Sequence, residues 1–324
     1  MIAGDRVVLE SEGLYHAFGS NRVLHDIKLR IVQGEIVALV GPSGCGKSTF
    51  LRMILGTLQP NRGQVTVYTS RDGERVGSVV HKPGRDRGIV YQRYSLFPHL
   101  TALDNVAFGL MLDKTSIPQR TFHPLRWRAL RKKQRQASSE LLEKLGLGHA
   151  LKNYPHELSG GMRQRVAIAQ ALILKPAILL LDEPFGALDE ATREELQRML
   201  LGLYSENVDA VRQGQEPPYT ILMVTHELNE AIFVSDRILG LSQYWDWKRQ
   251  GHDAFPGATI VYDHHAPVFN PDDEREYHQF QEQKDEILRS TFNPEVLQER
   301  EEWNKFWDHV KSGQAKGIHA PPSD

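Results

Sequence analysis

The sequence predicts an α/β fold built on a parallel sheet, and three short apolar segments carry that prediction. Ile36–Val40 is a continuous apolar run that leads into a glycine-rich segment and then into a helical one. Ala177–Leu181 is a second such run and is followed by two acidic residues, and Ile221–Val224 is a third. Runs of this length are typical of strands that are buried on both faces of a sheet.

The remaining segments predict the other strands and helices. Residues 7–40 alternate as strands do, and residues 64–91 do the same around a turn at Asp72-Gly73. We expect helices over residues 48–58, 102–112, 137–147 and 160–174, and a long polar loop over residues 207–219. Strands and helices therefore alternate along the chain, as a sheet covered by helices requires.

Length, charge and cysteine count limit the classes of protein. The chain has 324 residues, a formal net charge of −2 and one cysteine. This length allows one large domain with extensions, and the charge gives no global field that favours nucleic acid. We find no secretion signal, no pair of cysteines for an internal disulfide, and no apolar run of about 18–20 residues. We therefore expect a cytosolic chain, or one held at a membrane by a partner.

The segment after the first buried strand predicts a phosphate-binding loop. Its glycines let backbone amides approach phosphate oxygens, and the helix that follows adds the positive end of its dipole. Lys47 supplies a charge for the β- and γ-phosphates, Ser48 supplies a hydroxyl for Mg²⁺, and Cys45 only fills space. A plain glycine-rich turn is the alternative. The predicted ATP-binding residues here are Gly41, Pro42, Ser43, Gly44, Cys45, Gly46, Lys47, Ser48 and Thr49.

Two acidic residues follow the second buried strand, at the edge where ligands of open α/β sheets bind. Asp182 is predicted to hold Mg²⁺, directly or through water. Glu183 is predicted to activate the attacking water as a general base. Taken alone, the pair could be a strand that ends in a capping acid, and the phosphate loop favours the catalytic interpretation.

A second anion site is predicted at Ser159-Gly160-Gly161. Ser159 is a natural N-cap for the helix that follows, and the two glycines leave bare amides at the start of that helix. One chain needs a single cradle for one γ-phosphate, so a second cradle indicates an ATP that two copies share. An ordinary capped helix is the alternative when this segment is considered alone.

Taken in order, these motifs resemble the ATPase subunit of an ATP-binding cassette transporter over roughly residues 8–242. The resemblance implies a P-loop fold with a RecA-like core, an antiparallel β-subdomain, a helical subdomain near residues 93–165, and a C-terminal extension over residues 243–324. It implies that Phe18, or alternatively Tyr15, stacks on adenine. It implies that Gln92 senses Mg²⁺ and the attacking water, and that His226 contacts the γ-phosphate.

The same resemblance implies two copies of the chain stacked head to tail. Residues 186–189 match the loop that touches the partner copy. Ser159–Gly161 of one copy would face the ATP of the other, whose own site comprises Lys47, Gln92, Asp182, Glu183 and His226.

Residues 93–101 resemble the segment that receives a permease in bacterial importers, and residues 83–88 and 154–162 resemble the nitrate/sulfonate/taurine group. This implies permease subunits, a periplasmic or lipid-anchored solute-binding protein, and a place at the cytoplasmic face of the inner membrane. The solute is expected to be small, with an anion as one option. The alternatives are an exporter or lipid-trafficking system, and a soluble cassette that acts on nucleic acid or ribosomes.

Three features lie outside these motifs. Arg120–Arg135 holds seven basic residues and is expected to be a solvated insertion, or to contact anionic headgroups or acidic permease loops. Two amphipathic helices are expected after residue 242, the second over residues 293–313 with Asn293 as its N-cap and Gly313 as its stop. They would pack on the cassette or join two copies. The spacing of His252, Asp263, His264 and His265 does not favour a metal site.

Overall fold

The computed structural model describes residues 6–71, 74–92, 95–114, 124–186, 188–266 and 277–298. The central sheet contains β3 (Ile36–Val40), β6 (Arg87–Val90), β7 (Ile178–Asp182), β8 (Ile221–Val224), β9 (Arg237–Ser242) and β10 (Thr259–His265). Their order is β10-β9-β3-β8-β7-β6, and β10 alone among these strands is antiparallel to its neighbour. The predicted α/β fold is confirmed, with its three apolar runs side by side at the centre.

The central sheet separates two apolar clusters, and β3 shows why its sequence has no polar position. Ile36, Ala38 and Val40 face one cluster, whereas Val37 and Leu39 face the other. Side chains of a strand point alternately to the two faces of the sheet. A strand that is covered on both faces therefore needs an unbroken apolar run.

A second, antiparallel sheet lies against the same core. It contains β1 (Val7–Phe18), β2 (Asn21–Val32), β4 (Arg62–Arg71) and β5 (Glu74–Val79), in the order β2-β1-β4-β5. Leu9 and Leu14 of this sheet are buried in one cluster with Phe50 from the helix after the glycine-rich loop. The antiparallel subdomain is thus present, although the predicted turn at Asp72-Gly73 lies outside the described residues.

The helices between the two nucleotide motifs are α1 (Lys47–Leu55), α2 (Ala102–Lys114), α3 (Pro124–Lys144) and α4 (Gly160–Leu172). α1 ends before the predicted Leu58 because Gly56 adopts φ 85° and donates its N–H to the carbonyls of Arg52 and Met53. α3 begins thirteen residues before the predicted position 137 and takes in most of the basic run. The predicted helical subdomain is therefore mainly α2, α3 and α4, which pack on one another.

The predicted polar loop over residues 207–219 is wrong in its first half. α5 spans Glu190–Arg212, and α6 spans Leu228–Val234. Asn207 lies inside α5 and is fully buried. Its amide group donates to the Gly34 carbonyl at 2.8 Å and accepts from the Tyr219 N–H at 3.0 Å. Distant partners thus satisfy a polar residue that the local sequence would place in a loop.

The C-terminal extension contributes a strand that the sequence analysis did not identify. β10 extends the central sheet and carries Asp263, whose carboxylate accepts two hydrogen bonds from the buried guanidinium of Arg237, each at 2.7 Å. Arg237 also donates to the Arg30 carbonyl at 2.7 Å. Because the buried Arg237 is satisfied by the half-buried Asp263, a strand ending in Asp-His-His can join the edge of the sheet.

α7 (Tyr277–Ile287) is followed by a π-helical turn, Leu288–Phe292. The predicted helix start at Asn293 is wrong. The Asn293 side chain accepts from the Glu295 N–H at 2.9 Å, and Gln298 forms a bridge with Trp245. The side-chain bond is one that an N-cap could make, and the bridge at Gln298 shows that the backbone pairs with Trp245 and does not continue as a helix. The remainder of that predicted helix, with its apolar stripe Trp303, Phe306, Trp307 and Val310 and its stop at Gly313, lies outside the described residues.

Candidate nucleotide-binding and catalytic site

The glycine-rich loop connects the carboxyl end of β3 to α1, and two of its glycines are fixed by close neighbours. A Cβ on Gly41 would lie 2.1 Å from the Leu241 carbonyl oxygen at the end of β9. Gly46 is the N-cap of α1 with φ 105°, and a Cβ there would lie 2.8 Å from a Leu24 methyl carbon. The loop therefore needs glycine both for its backbone conformation and for its packing.

Lys47 stands at the first position of α1 and is buried. Its Nζ donates to the Gly41 carbonyl at 2.7 Å and to the Pro42 carbonyl at 3.0 Å. The ammonium group is thus held inside the curve of the loop. Ser43 and Ser48 are exposed to solvent, and Thr49 is half-buried. The Cys45 thiol is buried, as expected for a residue that fills space.

Three predicted catalytic residues meet at the carboxyl end of β7. Glu183 Oε2 accepts a hydrogen bond from Gln92 Nε2 at 3.1 Å, and Glu183 Oε1 lies 3.2 Å from His226 Nδ1. Glu183 adopts φ 47°, a conformation that is unfavourable for a residue with a side chain, and its N–H donates to the Val224 carbonyl at 2.8 Å. Strain of this kind persists where the surrounding structure fixes it. Both carboxylate oxygens of Glu183 therefore have a fixed orientation.

Asp182 precedes this carboxylate on β7. Burial raises the pKa of Asp182, the neighbouring Glu183 raises it further, and Arg52 and Lys47 oppose the shift. A divalent cation would relieve the repulsion between the two carboxylates. The Asp182 carboxylate, the Ser48 hydroxyl and the Gln92 amide oxygen are hard oxygen donors of the kind that Mg²⁺ prefers, so these residues fit the predicted metal site.

The two candidates for adenine stacking differ in their surroundings. Phe18 at the end of β1 is 51% exposed, and its ring is nearly perpendicular to the His16 ring, with 4.5 Å between ring centres. The Tyr15 ring lies 5.0 Å from the His25 ring, and the guanidinium of Arg62 lies over it at 5.4 Å. Phe18 is therefore more accessible to a base than the half-buried Tyr15.

The second predicted anion site is a capped helix start. Ser159 Oγ accepts from the Met162 N–H at 3.2 Å, and Gly160 and Gly161 form the first turn of α4. A Cβ on Gly161 would lie 2.0 Å from Thr192 Cγ2, so this glycine permits α4 to pack on α5. Among the described residues, no hydrogen bond joins this segment to the glycine-rich loop of the same chain. No local sequence pattern indicates this packing role of Gly161, since Thr192 is distant in sequence.

The loop before α5 ends at Asp189, which is the N-cap of that helix. The Asp189 carboxylate accepts from the Thr192 N–H at 3.0 Å and from the Thr192 hydroxyl at 2.9 Å. These bonds to Thr192 lower the pKa of Asp189. Gly186 and Leu188 of the predicted partner loop are described, whereas Ala187 lies outside the described residues.

A buried polar connection behind His226 was also missed. The Thr225 hydroxyl donates to Glu230 at 3.2 Å, and Arg193 of α5 lies 3.2 Å from the other oxygen of that carboxylate. Burial raises the pKa of Glu230 to about 7. Glu230 thus links the segment that carries His226 to the helix that starts at the Asp189 cap. No local sequence pattern marks a connection between residues so far apart in the chain.

The histidines and the aspartate near the C-terminal extension are used in packing and ion pairing. Asp263 pairs with Arg237, His264 stacks on Tyr262, and His252 meets the edge of the His25 ring. Within the described ranges, no group of three or more histidine, cysteine, aspartate or glutamate residues is arranged to hold a metal ion.

Comparison with known proteins decides the family. A family model described as ABC transporter matches residues 24–186, from β2 to the residues just after β7. This chain belongs to the ABC transporter family. The match contains the glycine-rich loop, Gln92, Ser159–Gly161 and the acidic pair Asp182-Glu183 at the end of β7. Among the described residues of this ABC chain, no helix is both long enough and apolar enough to span a bilayer.

Relatives of this ABC chain include import ATPases. The sulfate/thiosulfate import ATP-binding protein CysA of Yersinia pseudotuberculosis is 42% identical over 235 residues, which are 72% of this chain and 58% of that protein. The nitrate import ATP-binding protein NrtD of Synechococcus elongatus is 41% identical over 216 residues, which are 67% of this chain and 68% of that protein. The chain thus spans a little over half the length of the sulfate/thiosulfate relatives.

Solved ABC structures share the fold. An ATP-binding cassette in a dimeric post-hydrolysis state with ADP and phosphate aligns with a TM-score of 0.55 and 27% identity, over 81% of this chain and 100% of that one. An ATP-binding cassette in its ADP conformation aligns with a TM-score of 0.61 at 20% identity, over 90% of this chain and 96% of that one. The family and the fold are therefore consistent with the two sheets and the helical subdomain described above.

Proposed function

We propose that this chain is the ATP-hydrolysing subunit of an ABC importer for a small anionic solute. The observation that carries the proposal is the Glu183 carboxylate between Gln92 and His226, at the same sheet edge as Lys47. A carboxylate held by two neighbours, beside a loop built for phosphates, suits attack of water on a bound nucleotide. In this proposal residues 1–242 form the ATP-binding domain, and residues 243–324 form an extension that also completes its sheet.

The chain's own residues account for each step of hydrolysis. Lys47 and the amides of the glycine-rich loop bind the β- and γ-phosphates, and Phe18 stacks on the base. Glu183 accepts a proton from water as the water oxygen bonds to the γ-phosphorus and the bond to the β-phosphate oxygen breaks. Gln92 and His226 orient this carboxylate. Mg²⁺, held by Ser48, Gln92 and Asp182, would neutralise phosphate charge when bound.

We propose that two copies of the chain act together. The amides at the start of α4 form an anion site, yet in one chain they have no bond to the glycine-rich loop among the described residues. A second copy, packed head to tail, would bring Ser159, Gly160 and Gly161 of one chain to the ATP of the other. The dimeric state of the solved cassette with ADP and phosphate supports the action of two copies.

Import of an anion is supported by the relatives, which are named for sulfate/thiosulfate and nitrate import. Integral-membrane permease subunits and a periplasmic or lipid-anchored solute-binding protein would be the partners, at the cytoplasmic face of the inner membrane. An exporter or lipid-trafficking system is the rival, and a cassette acting on nucleic acid or ribosomes is the more distant one. Sulfate- or nitrate-stimulated ATPase activity with the permease, in proteoliposomes, separates these functions.

The catalytic assignment is tested with Glu183→Gln, and Glu227→Gln is the matched control. Glu227 is exposed and lies 3.5 Å from the other ring nitrogen of His226. We expect Glu183→Gln to bind ATP normally, to lower turnover by about 10²–10⁴ and to accumulate an ATP-bound dimer in size-exclusion chromatography with light scattering. The control should keep turnover within a few-fold. Wild-type turnover in Glu183→Gln would overturn the role of Glu183.

A further inference from the structure

The connection between β9 and β10 is long for an antiparallel hairpin. Sixteen residues, 243–258, separate Ser242 from Thr259. Hairpin connections are usually about two to five residues, and loops beyond about 12–15 residues without secondary structure are usually either functional or disordered. This connection, which we call the β9–β10 loop, follows the carboxyl end of the strand whose Leu241 carbonyl packs against Gly41.

Trp245 holds the β9–β10 loop together from inside. Its side chain is fully buried, and its Nε1 donates to the Gly257 carbonyl at 3.0 Å, across the loop. The backbone around it is also bonded, since the Asp246 N–H donates to the Gln298 carbonyl at 3.0 Å. A loop with a buried tryptophan and internal hydrogen bonds has a defined shape that can transmit a displacement.

The far end of the β9–β10 loop is docked on β2. The Ala258 N–H donates to the Val23 carbonyl at 2.9 Å, and the His25 N–H donates to the Ala258 carbonyl at 2.8 Å. The His25 ring stacks on Trp245 with 5.2 Å between ring centres. A Cβ on Gly257 would lie 2.8 Å from the Leu24 carbonyl carbon, so the two backbones are in contact.

The same stretch of β2 contacts the phosphate loop on its other side. A Cβ on Gly46 would lie 2.8 Å from a Leu24 methyl carbon and 3.0 Å from a Val23 methyl carbon. Gly46 is the residue immediately before Lys47. A rigid chain of contacts therefore runs from Trp245 through Gly257 to Leu24 and then to the start of α1.

We infer that Trp245 is a positioning residue for nucleotide binding, which acts by holding Val23–Leu24 of β2 against the phosphate loop. The inference rests on the proposed nucleotide site. Loosening of the β9–β10 loop would let Leu24 move away from Gly46 and would misplace the amides and the ammonium group that bind the phosphates. ATP and ADP should be affected alike, because both carry the phosphates that this loop would bind.

The test compares two glycines of the β9–β10 loop. Gly257→Ala forces a side chain into φ 119° and against Leu24, whereas Gly251→Ala forces one into φ 83° with no atom within 4 Å of the new Cβ. Both variants carry left-handed backbone strain, and only the first presses on β2. We expect Gly257→Ala to raise Kd for ATP and ADP by about tenfold and Gly251→Ala to leave both within about twofold.

Trp245→Phe extends the test, because it keeps an aromatic ring against His25 and removes the hydrogen bond to Gly257. We expect a smaller rise of Kd, about threefold, with turnover at saturating ATP unchanged within about twofold. Binding is measured well below the melting temperature, so that a loss of folded protein lowers the number of sites and not the affinity. Equal Kd values for Gly257→Ala and Gly251→Ala would overturn the inference. Failure of the wild-type chain to bind ATP would instead overturn the proposed function.

Discussion

The contact between α4 and α5 allows the two possible reasons for glycine at position 161 to be separated. The Cβ of Gly161→Ala would lie 2.0 Å from Thr192 Cγ2, where carbon atoms normally approach to about 3.5–4.0 Å. Thr192 cannot rotate away freely, because its hydroxyl donates to Asp189 at 2.9 Å. The helices must therefore move apart, and we expect a loss of about 1–3 kcal/mol in the free energy of unfolding, as in other overpacked cores.

A second substitution, at Thr192, makes room for the new Cβ at position 161. Thr192→Ser removes Cγ2 and keeps the hydroxyl that bonds Asp189, so the Gly161→Ala/Thr192→Ser double variant should recover most of the lost stability. Urea unfolding of the nucleotide-free chain measures both values. Gly202→Ala is the control, since its new Cβ in α5 has no atom within 4 Å, and alanine should stabilise the helix by up to about 1 kcal/mol.

ATPase activity in the double variant then distinguishes the roles of Gly161. If glycine is needed only for packing, activity returns with stability. If the bare amide must also approach a phosphate in the partner's site, stability returns and activity stays low. The packing argument is refuted if Gly161→Ala unfolds at the wild-type urea concentration, or if Thr192→Ser fails to rescue it.

Three further predictions follow from the site. Lys47→Ala should weaken ATP binding by about 10–100-fold in equilibrium titration, because a charged donor to phosphate is lost; an unchanged Kd would contradict the phosphate-loop assignment. Cys45 should react with iodoacetamide at least about tenfold more slowly than free cysteine at pH 8, because burial raises its pKa; rapid labelling of the folded chain would contradict this. The pKa of Glu230 is raised from 4.5 to about 7, so the folded chain holds a proton there that the unfolded chain releases, and stability should fall as pH rises through this window. Glu230→Gln should therefore gain unfolding free energy relative to wild type between pH 4.5 and 8, by at most about 3 kcal/mol, and equal pH profiles would refute the shift.

Part of the candidate catalytic site could be predicted because its residues follow buried strands. Each central strand requires an unbroken apolar run, and a polar residue just after such a run must lie at the carboxyl edge of the sheet. Glu183 follows such a run, whereas Gln92 and His226 were expected from the family resemblance, and the structure brings the three together through two contacts of 3.1 and 3.2 Å. Local pattern was sufficient for Glu183, and the family resemblance was needed for Gln92 and His226.

Other features could not be predicted from local sequence, since their partners are distant in the chain. Asn207 stays in a helix because Gly34 and Tyr219 satisfy its amide. β10 joins the sheet because Asp263 meets the buried Arg237. The expected helix start at Asn293 failed because Gln298 forms a bridge with Trp245, more than fifty residues earlier in the chain.

The sequence by itself therefore determined the fold class, the family and the chemical character of the site. Those depend on alternation, short apolar runs and the order of small motifs, all of which are local. Only the tertiary structure decided why Gly161 lacks a side chain, how Glu230 connects two helices, and how the β9–β10 loop reaches the phosphate loop through β2. Close packing and buried hydrogen bonds join residues without regard to their separation in sequence, so no local pattern records them.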